Sequence, residues 1–72
     1  MEHSMTPETA RVYRAALTYG LDEMRVTYAA AVIFASWHAH LGQVLHGDDL
    51  DASWDDWIGR PEGRRAFGED PS

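Results

Sequence analysis

One run of apolar residues in the middle of the chain does most to limit what this sequence can fold into. It covers residues 26–37 and is broken only by Thr27 and Ser36. As a helix, residues 28–37 have almost no polar direction around the axis, and such a helix is normally buried on all sides. Its length would be about 18 Å, well short of the roughly 30 Å of a bilayer core. We therefore expect a buried helix in a soluble, cytoplasmic protein without a membrane span.

The length and composition indicate a single small domain that needs support. A 72-residue core supplies no more than about 3–5 kcal/mol, so small domains rely on disulfides, metals or partners. Disulfides are excluded because the chain has no cysteine, and 44% hydrophobic residues are too many for a disordered chain. We expect a folded domain over residues 6–67. Residues 1–5 would be a disordered lead or a cloning remnant, and residues 68–72 a frayed tail.

The charge balance argues against a nucleic-acid ligand. Twelve acidic residues face six arginines and no lysine, which gives a net charge of −6. Affinity for nucleic acids depends largely on Lys and Arg displacing counterions from phosphates. We therefore expect no direct binding to nucleic acid. The lack of Lys and Asn beside abundant Ala, Arg, Asp and Gly favours a GC-rich genome, that of a bacterium or its phage.

Two main helices are predicted from caps and periodicity. The first begins after Thr6, a good N-cap, and Gly20 is placed to end it. Asp22 offers a fresh cap for a second helix, which would end at His46 because a glycine follows. The β-branched residues of the apolar run leave a strand as an alternative there, although its alanines argue against one.

A single fused helix is the other alternative. A 4-3 spacing crosses Gly20 and would suit a rod that dimerises as a coiled coil. The positions that follow this spacing are Leu17, Leu21, Met24, Tyr28, Ala31, Ala35, His38, Gly42 and Leu45. Because glycine costs roughly 1 kcal/mol inside a helix, we expect two separate helices instead.

A third, short helix is predicted after a polar loop. Ser53 is placed to cap it and Asp56 to complete a capping box, so the helix would cover residues 53–58. A further turn would begin at Pro61. The expected fold is all-α. It is a small helical hairpin of two main helices, with the short helix folded back on it, that dimerises through the apolar middle helix.

Neither a metal ion nor a cofactor is expected. Alternating oxygen side chains from Asp49 to Asp55 match the start of a calcium loop, but a tryptophan replaces its essential glycine and an arginine its final glutamate. His38 and His40 are two residues apart and point to different sides of a helix, so they cannot share an ion. Nor is the chain expected to be an enzyme, since its serines lie in no nucleophile motif and its glycines form no phosphate-binding loop.

A non-enzymatic protein–protein interaction module is the function that the sequence favours, such as a regulator, inhibitor or assembly subunit. It would act as a homodimer or docked on a larger protein. The residues predicted for self-association are Tyr28, Val32, Ile33, Phe34, Trp37 and Leu41.

An acidic segment, residues 48–56, is the second predicted contact surface. Aromatic anchors with a charged rim are typical of interfaces, and carboxylates favour a partner with a basic surface. The residues predicted to contact that partner are Asp48, Asp49, Asp51, Trp54, Asp55 and Trp57. The alternative function is an acidic nucleic-acid mimic that occupies a basic groove, although its carboxylates would have to be spaced along a face.

Overall fold

Four helices make up most of residues 6–67, the part of the chain that this computed structural model describes, and that part contains no strand. The all-α prediction is therefore confirmed. The predicted lead and tail lie outside the described residues.

Helix α1 covers Pro7–Thr18 and continues through a π-helical turn at Tyr19–Glu23. Thr6 caps it as predicted, because its side chain accepts a hydrogen bond from the backbone N–H of Thr9 at 3.1 Å.

Gly20 does not end this helix, so that prediction is wrong. The residue is buried within the π-helical turn, and a Cβ atom there would lie 3.1 Å from the Cβ of Ala31. Glycine is used here for close approach between two helices rather than for a turn. The helix therefore includes Asp22, which the sequence suggested as the cap of the next helix.

The break between the two main helices falls at residues 24–27. Arg25 has a positive φ of 59°, and Thr27 is extended and accepts a hydrogen bond from the N–H of Ala30 at 3.2 Å. A second helix that starts at Asp22 is therefore wrong, and so is the fused rod, because neither backbone geometry is helical.

Helix α2 covers Tyr28–Trp37 and continues through a π-helical turn at His38–Gly42 and a last α-helical turn at Gln43–His46. Its predicted end is confirmed: Gly47 follows it with a φ of 62°, in the region that favours glycine. The strand alternative for the apolar run is wrong.

Helix α3 covers Leu50–Ile58, and helix α4 covers Pro61–Ala66. Asp49 caps α3, accepting a hydrogen bond from the N–H of Ala52 at 3.0 Å. The prediction that Ser53 caps this helix is wrong, because Ser53 lies one turn inside it and is fully buried.

The core is built from aromatic rings of α2 and α3. Phe34 lies with its ring centroid 4.8 Å from that of Trp54 and 5.3 Å from that of Trp57. All three side chains are buried, together with Ala16 of α1 and Ala35 of α2. Small residues at those two positions let α1 lie close to α2, so the large rings of α3 fill the remaining volume.

Candidate functional site

The outer face of α2 carries a row of exposed apolar side chains. Ile33, Trp37, Leu41 and Val44 follow one another at helical spacing, and we call them the apolar stripe. Ile33 is 42% exposed, Leu41 41% and Val44 78%, whereas Trp37 is half-buried. Apolar side chains in a continuous row at a surface commonly mark an interaction site.

No formal charge interrupts this helix. From residue 26 to residue 47 the sequence contains no Asp, Glu, Lys or Arg. Arg60 lies over the Trp37 ring, with its guanidinium carbon 5.4 Å from the ring centroid. Arg60 is held there by Asp56, to which its Nε and Nη2 donate at 3.1 and 3.0 Å. A polar margin therefore borders an uncharged surface, as at many interfaces.

The structure places the predicted self-association residues on different faces. Ile33 and Leu41 are exposed in the stripe, whereas Trp37 is half-buried and packs against the core, and Phe34 is fully buried within the core. Tyr28 is 66% exposed at the start of α2, away from the stripe. Val44 follows the same helical spacing as Ile33 and Trp37 in the sequence, but it was not among the residues predicted for self-association.

Most aspartates of the acidic segment have partners within the chain. Asp49 caps α3, and Asp51 accepts a hydrogen bond from the hydroxyl of Tyr19, which joins α3 to α1. Burial and this bond raise the pKa of Tyr19. Asp56 pairs with Arg60 and also with His46, whose Nε2 lies 3.2 Å from its carboxylate. The hydrogen bonds from His46 and Arg60 lower the pKa of Asp56.

The two tryptophans of the acidic segment are core residues. Trp54 and Trp57 are buried against Phe34, so in the folded chain they present almost no surface to a partner. Of the predicted partner-binding residues, only Asp48 and Asp55 are exposed and make no hydrogen bond to the described residues. A surface that uses this segment therefore consists of carboxylates without aromatic anchors.

A cavity of about 690 Å³ lies between α1, the π-helical turn of α2 and the start of α3. We call it the His38 cavity, since His38 is its most buried polar side chain. Glu8 and Arg11 of α1, Gln43 of α2 and Asp48 of the following loop supply its other charged and amide groups.

The His38 ring is fixed by a buried serine. Its Nδ1 lies 2.7 Å from Oγ of Ser53, and both residues are almost fully buried. Among the described residues this nitrogen is the only hydrogen-bond partner of the buried hydroxyl. Since a buried hydroxyl needs an acceptor, Ser53 donates to Nδ1, and the proton of the neutral ring is on Nε2. Burial lowers the pKa of His38, which favours that neutral ring.

Gly42 makes this contact possible. A Cβ atom at Gly42 would lie 2.6 Å from Oγ of Ser53 and 2.7 Å from Nδ1 of His38. Any larger residue would therefore separate the serine from the ring.

The π-helical turn also brings His38 and Gln43 to one side of α2. The backbone N–H of Gln43 donates to the carbonyl of His38, five residues earlier. In a regular α-helix, residues five apart point about 140° away from each other. A π-helical turn stacks them, and such turns are frequent at functional sites. Gln43 Oε1 is buried and has no hydrogen-bond partner among the described residues.

In comparisons with known proteins, no protein-family model, curated protein or solved structure matches this chain. Within residues 6–67, none of the helices has the length and apolarity that crossing a membrane requires. The same residues hold no group of three or more His, Asp or Glu side chains that could bind a metal ion. Ser53 is fully buried, and its hydroxyl orients the His38 ring.

Proposed function

We propose that this chain is a small, non-enzymatic protein–protein interaction module that acts as a homodimer through the apolar stripe, in the cytoplasm of a bacterium or a phage-infected cell. The observation that carries the proposal is the row of exposed Ile33, Leu41 and Val44 on a helix without formal charge. The two main helices would form a hairpin whose outer face is this stripe.

A second copy of the chain is a suitable partner for the stripe because the charged residues lie away from it. Each chain carries a net charge of −6, and all of its carboxylates lie outside α2. Two copies related by a twofold axis would present the same stripe to each other and keep their carboxylates at the margin. A strongly basic partner would gain nothing from this uncharged face, because charge complementarity needs opposite charges across the contact.

Sedimentation equilibrium over a micromolar concentration series tests self-association. Val44→Asp adds a carboxylate to the most exposed stripe residue, and burying one unpaired charge costs at least about 2 kcal/mol. Each 1.4 kcal/mol corresponds to a tenfold change, so the dimer should weaken by at least about 30-fold.

Tyr28→Asp is the matched control, because it also adds one carboxylate to α2 but lies outside the stripe, so it should leave the dimer intact. A wild-type chain that stays monomeric throughout the series overturns the proposal. So does a Val44→Asp variant that dimerises like the wild type.

A partner with a basic surface, docked on the acidic segment, is the second candidate. It is supported by the exposed carboxylates of Asp48 and Asp55, which make no hydrogen bond to the described residues. A nucleic-acid mimic would need more free carboxylates along one face. Asp49 and Asp51 instead accept hydrogen bonds from other residues of the chain. Asp55→Arg should abolish capture of a basic partner and leave the dimer unchanged. Equal capture by the variant and the wild type would refute this candidate.

A further inference from the structure

One imidazole lies at the surface of the helix that carries the apolar stripe. Of the three histidines of α2, His38 is buried and bonded to Ser53, and His46 lies 3.2 Å from the carboxylate of Asp56. His40 is exposed, and within the described chain it takes part in no hydrogen bond or ion pair. The packing of the monomer therefore gives this ring no partner.

His40 projects from the same side of α2 as part of the stripe. Val44 follows it by four residues, which is about one helical turn, so the two side chains are neighbours on one face. Both residues are exposed, as is Leu41, which follows His40 directly. A second copy that covers Leu41 and Val44 would therefore cover this imidazole as well.

The charge of the imidazole decides what covering it costs. A neutral ring can be removed from water at moderate cost, whereas an imidazolium without a counter-charge is expensive to bury. Two stripes in contact offer no counter-charge, because residues 26–47 of either copy contain no carboxylate. A twofold dimer would also bury two such rings, one from each copy.

Neighbouring elements do not neutralise His40 either. Helices α1 and α3 pack against the π-helical turn that contains it. The charged groups that border this part of α2 are Glu8, Arg11, Asp48, Asp56 and Arg60. Within residues 6–67 none of them makes a hydrogen bond or an ion pair to His40, and Asp56 is already paired with His46 and Arg60.

We propose that His40 makes the homodimer sensitive to pH, so that protonation of its imidazole separates the two copies. Histidine is the side chain whose charge ordinarily changes between about pH 5 and pH 8. The separated chain exposes His40 to water and accepts the proton, whereas the dimer must exclude it. Since the monomer then binds more protons than the dimer, lowering the pH favours the monomer. This inference rests on the homodimer of the proposed function.

Acidification acts on the rest of the surface in the opposite direction. Each copy carries a net charge of −6, so two copies repel each other. Protons bound elsewhere reduce that repulsion and favour association. A dimer that weakens on acidification therefore indicates a charge that enters the interface rather than a change in net charge.

Sedimentation equilibrium of the full chain at about pH 7.5 and about pH 5.5, at one ionic strength, measures the effect. The dissociation constant of the wild-type dimer should be at least about tenfold higher at the lower pH, because each dimer excludes two protons that the separated copies bind. Circular dichroism at both pH values checks that the chain stays folded. A dimer that is equally tight or tighter at the lower pH overturns the inference and leaves the proposed function standing. A chain that is monomeric at both pH values overturns both.

Substitutions at His40 test the same idea without relying on acid. His40→Lys carries a positive charge at about pH 7.5 and should weaken the dimer there by at least about tenfold. Tyr28→Lys is its matched control, because it adds the same charge to α2 outside the stripe and should leave the dimer intact. An intact His40→Lys dimer would contradict the inference.

Two glutamine variants assign the pH response to one histidine. His40→Gln keeps a polar side chain that does not titrate, so its dimer should not weaken at the lower pH. His46→Gln removes a histidine of the same helix that is paired with Asp56, and its dimer should weaken as the wild type does. A His40→Gln dimer that weakens as much as the wild type would show that His40 is not the responsible group.

Discussion

Gly42→Ala is the substitution whose outcome the packing around the His38 ring determines most sharply. The new methyl group would lie 2.6 Å from Oγ of Ser53, 2.7 Å from Nδ1 of His38 and 2.7 Å from Cζ3 of Trp37. Such approaches are too close for ordinary van der Waals contact. His38 belongs to α2 and Ser53 to α3, so moving either side chain away from the methyl group would disturb the 2.7 Å hydrogen bond between them.

The expected size of the effect follows from three contributions. Overpacking a well-filled site costs about 1–3 kcal/mol, and losing a buried hydrogen bond costs another 1–3 kcal/mol or so. Replacing glycine by alanine within a helix stabilises the folded state by about 1 kcal/mol through helix propensity. The variant should therefore be less stable by about 1–5 kcal/mol. Each kcal/mol corresponds to roughly 4–8 °C in the Tm of a domain of this size.

Thermal and urea unfolding, followed by circular dichroism, measure this effect. Gly59→Ala is the matched control, since a methyl group at Gly59 would meet nothing closer than 3.6 Å and that residue has a negative φ. The control should change the free energy of unfolding by less than about 1 kcal/mol. A Gly42→Ala variant as stable as the wild type, or more stable, would refute the packing described around His38.

Three further outcomes test the core, a helix cap and the buried histidine. Trp57→Ala should cost about 3–5 kcal/mol in urea unfolding because the ring is fully buried, and Ile58→Ala, at the exposed next position, should cost much less. Thr27→Ala should cost about 0.5–2 kcal/mol by removing the cap of α2, whereas Thr18→Ala removes no cap. Burial makes the pKa of His38 lower in the folded chain than in the unfolded chain, so below pH about 6.5 the unfolded chain binds more protons. The free energy of unfolding should therefore fall as the pH is lowered. His38→Gln should reduce this slope, and an unchanged slope would contradict the buried neutral ring.

The sequence was sufficient for the helical class and for several boundaries. Thr6 and Gly47 act as the cap and the stop that their residue types favour. Gly20 shows why other boundaries could not be predicted. A glycine that ends a helix and a glycine that lets two helices approach closely look the same in sequence, and only the position of Ala31 distinguishes them.

The same ambiguity affected the site residues. Asp49 and Ser53 are equally good helix caps, and the choice depends on His38, which needs the serine as its buried partner. In sequence, Trp54 and Trp57 are compatible with either a core or an interface. In the structure both rings pack against Phe34, so they belong to the core.

The His38 cavity had almost no signal in the sequence. His38 and Gln43 are five residues apart, a spacing that a regular α-helix does not bring to one face. Only the π-helical turn joins them, and its nearest trace in the sequence is the glycine at position 42. The pattern that could have indicated it is a glycine within a long apolar helix, four residues after a histidine and directly before a glutamine.

Disulfide cross-linking tests most directly whether two copies meet along the apolar stripe. The natural chain contains no cysteine, so single-cysteine variants report one position each. Under mild oxidation, Leu41→Cys should give a covalent dimer because Leu41 lies within the stripe. Glu62→Cys, on the exposed surface of α4, should remain a monomer at the same concentration. Equal cross-linking of both variants, or none at Leu41→Cys, would contradict a homodimer built on the stripe.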